Sequence, residues 1–115
     1  HRRLVALRRI ERLHRLEFTE ETGLVVGAMA TVNQVARHEA VQARYPGLVE
    51  AALSLADDQV RNLATVGGNL CNAVPSADMA PILLVLGARL RVVSPQGQRH
   101  LPLGRFFAGP RKTVL

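Results

Sequence analysis

The sequence predicts an α+β fold, with antiparallel strands and helices gathered on one side of them. Three observations lead there. Two stretches rich in branched apolar residues are each interrupted by a short polar turn, the pattern of a β-hairpin. Between them, apolar residues recur at helical spacing in segments that open on good capping residues. Between the last of these and the second hairpin runs Ala64 to Asp78, where adjacent Gly67 and Gly68 precede closely spaced Asn69, Asn72, Ser76 and Asp78.

The elements follow in order. Leu4-Val5-Ala6-Leu7 reads as a strand or a linker. Leu16 and Phe18 lead into Glu20-Glu21-Thr22-Gly23, a turn with glycine last, and Leu24 to Ala30 returns as a buried strand. Thr31 opens a helix, and Gln34 three residues on completes a capping box. Val32, Val35 and Ala36 form its apolar face, and it fades near Glu39 or Val41. Pro46 starts the next helix at a first-turn position, where its missing N–H costs little. Leu48, Val49, Ala52, Leu53, Leu55 and Ala56 make a broad stripe that Asp57-Asp58 ends, and Gln59 to Leu63 connects to the glycine stretch. Asp78 is a good N-cap for a short apolar helix from Met79 to Leu86, with Pro81 tolerated in its first turn and Gly87 closing it. Ala88 to Ser94 is a strand, Pro95 to Gln98 a turn, and Arg99 to Leu103 the returning strand. Gly104 to Phe107 is one helical turn, broken by Gly109-Pro110.

Composition bounds the rest. At 115 residues the chain is one domain or part of one. It is 48% hydrophobic with 3% aromatics, so its core is built from Leu, Val and Ala. The net charge is +6, and Arg2, Arg3, Arg8, Arg9, Arg12 and Arg15 crowd the start. Such an end suits a nucleic acid or acidic partner, or is a solvated or covered face. No aromatic platform accompanies the arginines, which favours the second reading. The single cysteine, Cys71, excludes an internal disulfide and a cysteine-rich metal site. It fits a reducing cytoplasm and reads as a small packed side chain. No stretch is long and apolar enough to span a membrane, and no signal peptide is visible. With no initiator Met and no polar tail, the chain is expected to be a fragment of a longer protein.

Gly67 and Gly68 permit a turn with φ > 0 and a close approach to the backbone. Successive N–H groups there would converge on an anion such as phosphate. Asn69, Asn72, Ser76 and Asp78 offer the groups that grip a ribose or ribityl chain, and the N-terminus of the following helix would favour the anion. The other reading is a tight turn between a strand and a core helix, with no ligand. The stretch is neither a Walker loop nor a Rossmann fingerprint, and Ser76 lacks the context of a nucleophile elbow. His1, His14, His38 and His100 are scattered, without paired carboxylates. No catalytic and no metal-ligating residues are expected, and redox chemistry here would belong to a bound cofactor.

Arg61-Asn62, Thr65-Val66-Gly67-Gly68-Asn69 and Pro75-Ser76-Ala77-Asp78, followed by an apolar helix, resemble the second flavin motif of the FAD-binding subunit or domain of molybdenum hydroxylases, the group of xanthine and carbon monoxide dehydrogenases. Gly27-Ala28-Met29-Ala30-Thr31 and Phe106-Phe107-Ala108-Gly109-Pro110-Arg111-Lys112-Thr113 resemble two further segments of that family. The resemblance runs the length of the chain. It implies the larger part of a two-subdomain FAD-binding domain of the vanillyl-alcohol-oxidase type, residues 1–115 being the second subdomain without the upstream first glycine-rich loop.

It also implies roles. Thr65, Gly67, Gly68 and Asn69 match the loop along the FAD pyrophosphate. Asn72 and Ser76 lie near the sugar or ribityl portion, and Asp78 contacts FAD. Lys112 lies near the isoalloxazine ring, where its ammonium would stabilise negative charge. Arg61 and Asn62 brace the loop. The implied function is to relay electrons through FAD from [2Fe–2S] clusters on one partner subunit or domain to NAD⁺ or another acceptor. The molybdenum cofactor belongs to a large molybdopterin partner. Neither a nucleic acid nor a membrane span is implied. A different class of reading is a cofactor-free basic module for an acidic protein or nucleic acid. Other members of the same flavin fold lack the combination of Pro-Ser-Ala-Asp with Arg-Lys-Thr.

Overall fold

The computed structural model describes residues 3–73, 79–109 and 112–115. The architecture is α+β. Among the described residues the strands form three separate two-stranded antiparallel ladders, with short helices between the first and second.

The first ladder pairs β1 (Leu16–Thr19) with β2 (Gly23–Val26), Leu16 opposite Val26 and Thr19 opposite Gly23. Gly23 has a φ of 73°, which glycine adopts without steric cost. β2 stops four residues short of Ala30, because the chain there crosses the segment before β1. Gly27 N–H donates to Arg15 O at 2.6 Å and Met29 N–H to Leu13 O at 2.7 Å. A Cβ on Gly27 would lie 2.5 Å from the Leu13 carbonyl carbon and 2.8 Å from Arg15 N, so the crossing demands glycine. Leu4 to Leu7 form no regular element, and a 3-10 turn spans Glu11–His14. Phe18 fastens the hairpin to the helices. Its ring meets Tyr45 edge-on at 6.3 Å, and the Arg44 guanidinium, paired with Glu20, stacks 4.4 Å above it.

Helix α1 (Val32–Arg37) has the expected capping box. Gln34 N–H donates to Thr31 Oγ1 at 3.1 Å and Thr31 N–H to Gln34 Oε1 at 2.9 Å. Val32, Val35 and Ala36 are buried. The chain does not fade after α1. His38 is extended, and α2 (Glu39–Arg44) follows directly. α3 (Pro46–Leu53) starts on its proline and buries Leu48 and Ala52, but Leu53 faces out. The buried stripe is narrower than the sequence suggests because the helix ends at Leu53, and Ala56 then turns the chain with φ 44°.

Gln59 to Leu63, read as a connection, belongs to a helix, α4 (Asp58–Leu63). Asp57 caps it by accepting from Val60 N–H at 2.9 Å. Because α4 fully buries none of its side chains, it carries no apolar stripe to read. The glycine stretch is also helical, as α5 (Val66–Asn72).

Helix α6 (Ala80–Val85) has Pro81 in its first turn, and Gly87 closes it with φ 69°; its expected cap, Asp78, lies outside the described residues. β3 (Arg89–Ser94) and β4 (Gly97–Pro102) form the second hairpin around Pro95-Gln96. The expected helical turn is a 3-10 turn at Leu103–Arg105, after which β5 (Phe107–Gly109) pairs with β6 (Lys112–Thr113). The core joins Val32, Val35, Val41, Leu48 and Ala52 to Met79, Leu103 and Phe106, so small branched side chains dominate it. Among the described residues no helix is long and apolar enough to cross a membrane.

Candidate functional site

Thr31 and Thr65 face each other across an isolated antiparallel bridge, with Val32 N–H donating to Ala64 O and Val66 N–H to Ala30 O, both at 2.9 Å. Helices α1 and α5 therefore start side by side, each capped by its own threonine. Thr65 Oγ1 accepts from Gly68 N–H at 3.0 Å, and its carbonyl accepts from Asn69 N–H at 2.9 Å. Gly67 N–H donates to Ala28 O at 2.9 Å.

These bonds correct the expected turn. Neither Gly67 nor Gly68 has a positive φ. The amides of residues 66–69 do not converge outward, because each has an acceptor inside the protein. The physical reason is Thr65, whose extended backbone and free hydroxyl make a good helix cap.

The two glycines serve different ends. A Cβ on Gly67 would lie 2.7 Å from both the Cβ and the carbonyl oxygen of Ala28. The close approach is real, but the approaching group is the protein's own backbone. Gly68 is exposed, and a Cβ there would meet only Thr65 Oγ1, at 2.9 Å.

Gly68, Cys71 and Asn72 lie on one exposed edge of α5, while Val66 and Leu70 point into the core. Asn69 is half-buried, and its Oδ1 is shut from solvent with no hydrogen-bond partner. Cys71 is not the packed side chain expected: Leu70 takes the inward position and leaves it exposed. Desolvation by neighbouring atoms pushes its thiol pKa up, so it is no activated nucleophile. Ala73 ends α5 in the left-handed conformation. Ser76 and Asp78 lie outside the described residues.

Strand β6 packs against α5, bringing exposed Lys112 to this helix across a long stretch of sequence. Neither α5 nor the β5–β6 segment contains an acidic residue.

Arg61 and Asn62 act as braces. Arg61 Nη1 donates to the carbonyls of Leu53, Leu55 and Ala56 at 3.0–3.2 Å, satisfying oxygens that the end of α3 leaves free. Its Nε donates to Asn33 Oδ1 at 3.3 Å. Asn33 is 2% exposed, and its Nδ2 faces Asp58 O at 3.1 Å, Asp58 Oδ1 at 3.0 Å and Asn62 Oδ1 at 2.7 Å. This cluster locks α4, and hence the entry to α5, onto α1. Asn33 went unread in the sequence, although an Asn between Val32 and Val35 is a polar residue on an apolar face.

A family model described as the FAD binding domain in molybdopterin dehydrogenase matches residues 1–115. A putative xanthine dehydrogenase FAD-binding subunit of Escherichia coli is 36% identical over 115 residues, which are 100% of this chain and 39% of that one. The carbon monoxide dehydrogenase medium chain of Hydrogenophaga pseudoflava is 37% identical over 108 residues, 92% of this chain and 38% of that one. Among solved structures, carbon monoxide dehydrogenase from the same organism superposes with a TM-score of 0.89 at 36% identity, over 95% of this chain and 38% of that chain. Quinoline 2-oxidoreductase from Pseudomonas putida gives 0.88 at 30% identity, over 95% and 38%. The chain thus spans about two fifths of the length of the relatives it matches.

Proposed function

The chain belongs to the family of FAD-binding domains of molybdopterin dehydrogenases, and from that premise we propose that it is the second subdomain of such a domain and that α5 and β6 hold FAD between them. The observation that carries this is the packing of β6 on α5. Two segments far apart in sequence, each resembling a flavin motif, meet in space.

The residues present fit the cofactor. Asn69 Oδ1 is a buried acceptor without a donor, and a polar atom in that state is relieved by a ligand hydroxyl or a water. Gly68 leaves the edge of α5 bare. No carboxylate of α5 or of the β5–β6 segment opposes a diphosphate, and Lys112 supplies positive charge. FAD, when bound, supplies the redox chemistry.

The chain's own residues then divide the work of binding. Thr65 fixes the start of α5, and Gly67 sets its distance from the Ala28 backbone. Gly68 and Asn69 lie along the pyrophosphate, and Asn72 and Ser76 along the sugar or ribityl portion. Asp78 adds a carboxylate contact, and Lys112 stands near the ring system. Because the amides of residues 66–69 are engaged internally, recognition falls to side chains and to the uncovered edge.

In this reading the parent protein is the FAD-carrying component of a molybdenum hydroxylase in the reducing cytoplasm. It passes electrons from an iron–sulfur partner to NAD⁺ or another acceptor, and substrate is oxidised on a large molybdopterin partner. Nothing among the relatives supports a cofactor-free basic module instead. The test is reconstitution of the full-length parent with FAD. Gly68→Val places a branched side chain on the exposed edge of α5, which Thr65 Oγ1 must shift slightly to admit, and visible flavin absorbance falls at least tenfold. Equal flavin retention by wild type and variant overturns the assignment.

A further inference from the structure

A concavity lies where the Glu11–His14 turn, the start of β1, α1 and α4 meet. Its volume is about 350 Å³. Among the described residues, none of those assigned above to FAD lines it, and Leu16 is the one apolar wall residue.

The side-chain oxygens of Asn62, Asn33, Gln34 and Thr31 in this wall each already accept a hydrogen bond from the protein. Asn62 Oδ1 accepts from Asn33 Nδ2 at 2.7 Å, and Asn33 Oδ1 accepts from Arg61 Nε at 3.3 Å. Gln34 Oε1 accepts from Thr31 N–H at 2.9 Å, and Thr31 Oγ1 accepts from Gln34 N–H at 3.1 Å. The donors that remain are the Thr31 hydroxyl proton, the NH₂ groups of Gln34 and Asn62, and the Arg37 N–H groups not directed at Asp58.

Among the described residues no carboxylate lines the wall, but two imidazoles do. His14 Nε2 lies 2.7 Å from Arg8 O, which places a proton on Nε2. His38 Nδ1 is buried with no partner, a state that costs free energy unless a polar group or water satisfies it.

A wall rich in donors is complementary to an oxygen-bearing anion, above all where a guanidinium is among them. The volume sits at the small end of ligand pockets. It suits a small organic acid or phosphate ester. We propose that this concavity binds a small oxyanion, a carboxylate or phosphate group held by Arg37, Gln34, Thr31 and Asn62. An occupant would touch the Thr31 side of the bridge whose other side begins α5.

The test is calorimetric titration of the full-length parent, with and without saturating FAD, in a chloride buffer. Inorganic phosphate is the titrant in one arm and propionate in the other. The expected result is saturable binding of at least one anion at one site per chain, in both FAD states. The anion that binds tighter tells whether a phosphate or a carboxylate is the natural group. Arg37→Gln, at an exposed position, weakens binding at least tenfold. Arg44→Gln, whose guanidinium lies over Phe18, leaves it unchanged. Three results overturn the proposal: no saturable binding of either anion, equal binding by wild type and Arg37→Gln, or loss of anion binding when FAD is added.

Discussion

The helical unit from α1 to α5 and the C-terminal stretch from Met79 use their polar residues in opposite ways. In the helical unit, Asn33, Arg61, Thr31 and Thr65 are turned inward or along the backbone, where they satisfy carbonyls and amides that short helices leave free. After Asp78 there is no acidic residue at all, so all nine Asp and Glu precede Met79. Arg89, Arg91, Arg105 and Lys112 stand exposed, and Arg99 alone among the described cations there is tied to a carbonyl, that of Val114, at 2.7 Å. One region consumes its polarity in holding itself together. The other keeps an uncompensated positive field for whatever lies outside it. The seam between them, where β6 meets α5, sets a rigid edge beside that field, which is what the proposed anionic cofactor would need.

The contrast breaks if polar and glycine positions in the helical unit prove expendable. The largest effect is expected at Gly67. Gly67→Ala forces a methyl against the Ala28 carbonyl and should lower stability by about 3 kcal/mol, read from chemical denaturation of the parent. An unchanged midpoint would mean that α5 does not lean on the Ala28 backbone. Asn33→Ala comes next, at about 2 kcal/mol, because it strips partners from Arg61, Asp58 and Asn62 at a buried position. Thr65→Ala removes a helix cap and should cost about 1 kcal/mol. Flavin content should fall as well, which would tie cap geometry to the cofactor edge. At the other end of the scale, Arg91→Ala on the open face of β3 should change stability by less than about 0.5 kcal/mol. A loss as large as that of Asn33→Ala would erase the distinction between the two regions.

Elements whose cause is local were legible in the residues. Thr31 with Gln34, Pro46, Gly23 and Gly87 each state their own conformation, and both long hairpins carry their turns in plain view. α4 was not legible, because Asp57 caps it but tertiary polar contacts hold it, and those contacts come from α1. The glycine pair misled for a related reason. Adjacent glycines suggest a turn when read alone, yet Gly67 exists for Ala28, a residue distant in sequence and adjacent only through the Thr31–Thr65 bridge. The family's flavin segments were visible as strings of residues. Their meeting was not, since nothing in Phe106 to Thr113 says which helix β6 will touch.

The bridge between Thr31 and Thr65 also bears on how the chain tolerates changes of length. It clasps two helix starts in fixed register, so an inserted or deleted residue at either threonine would shift both helices by about 100° of rotation relative to their packing. The same change beside exposed Ser54, in the connection inside the clasp, leaves the register alone. Natural length variation in this segment should therefore collect at that connection and avoid the two threonines.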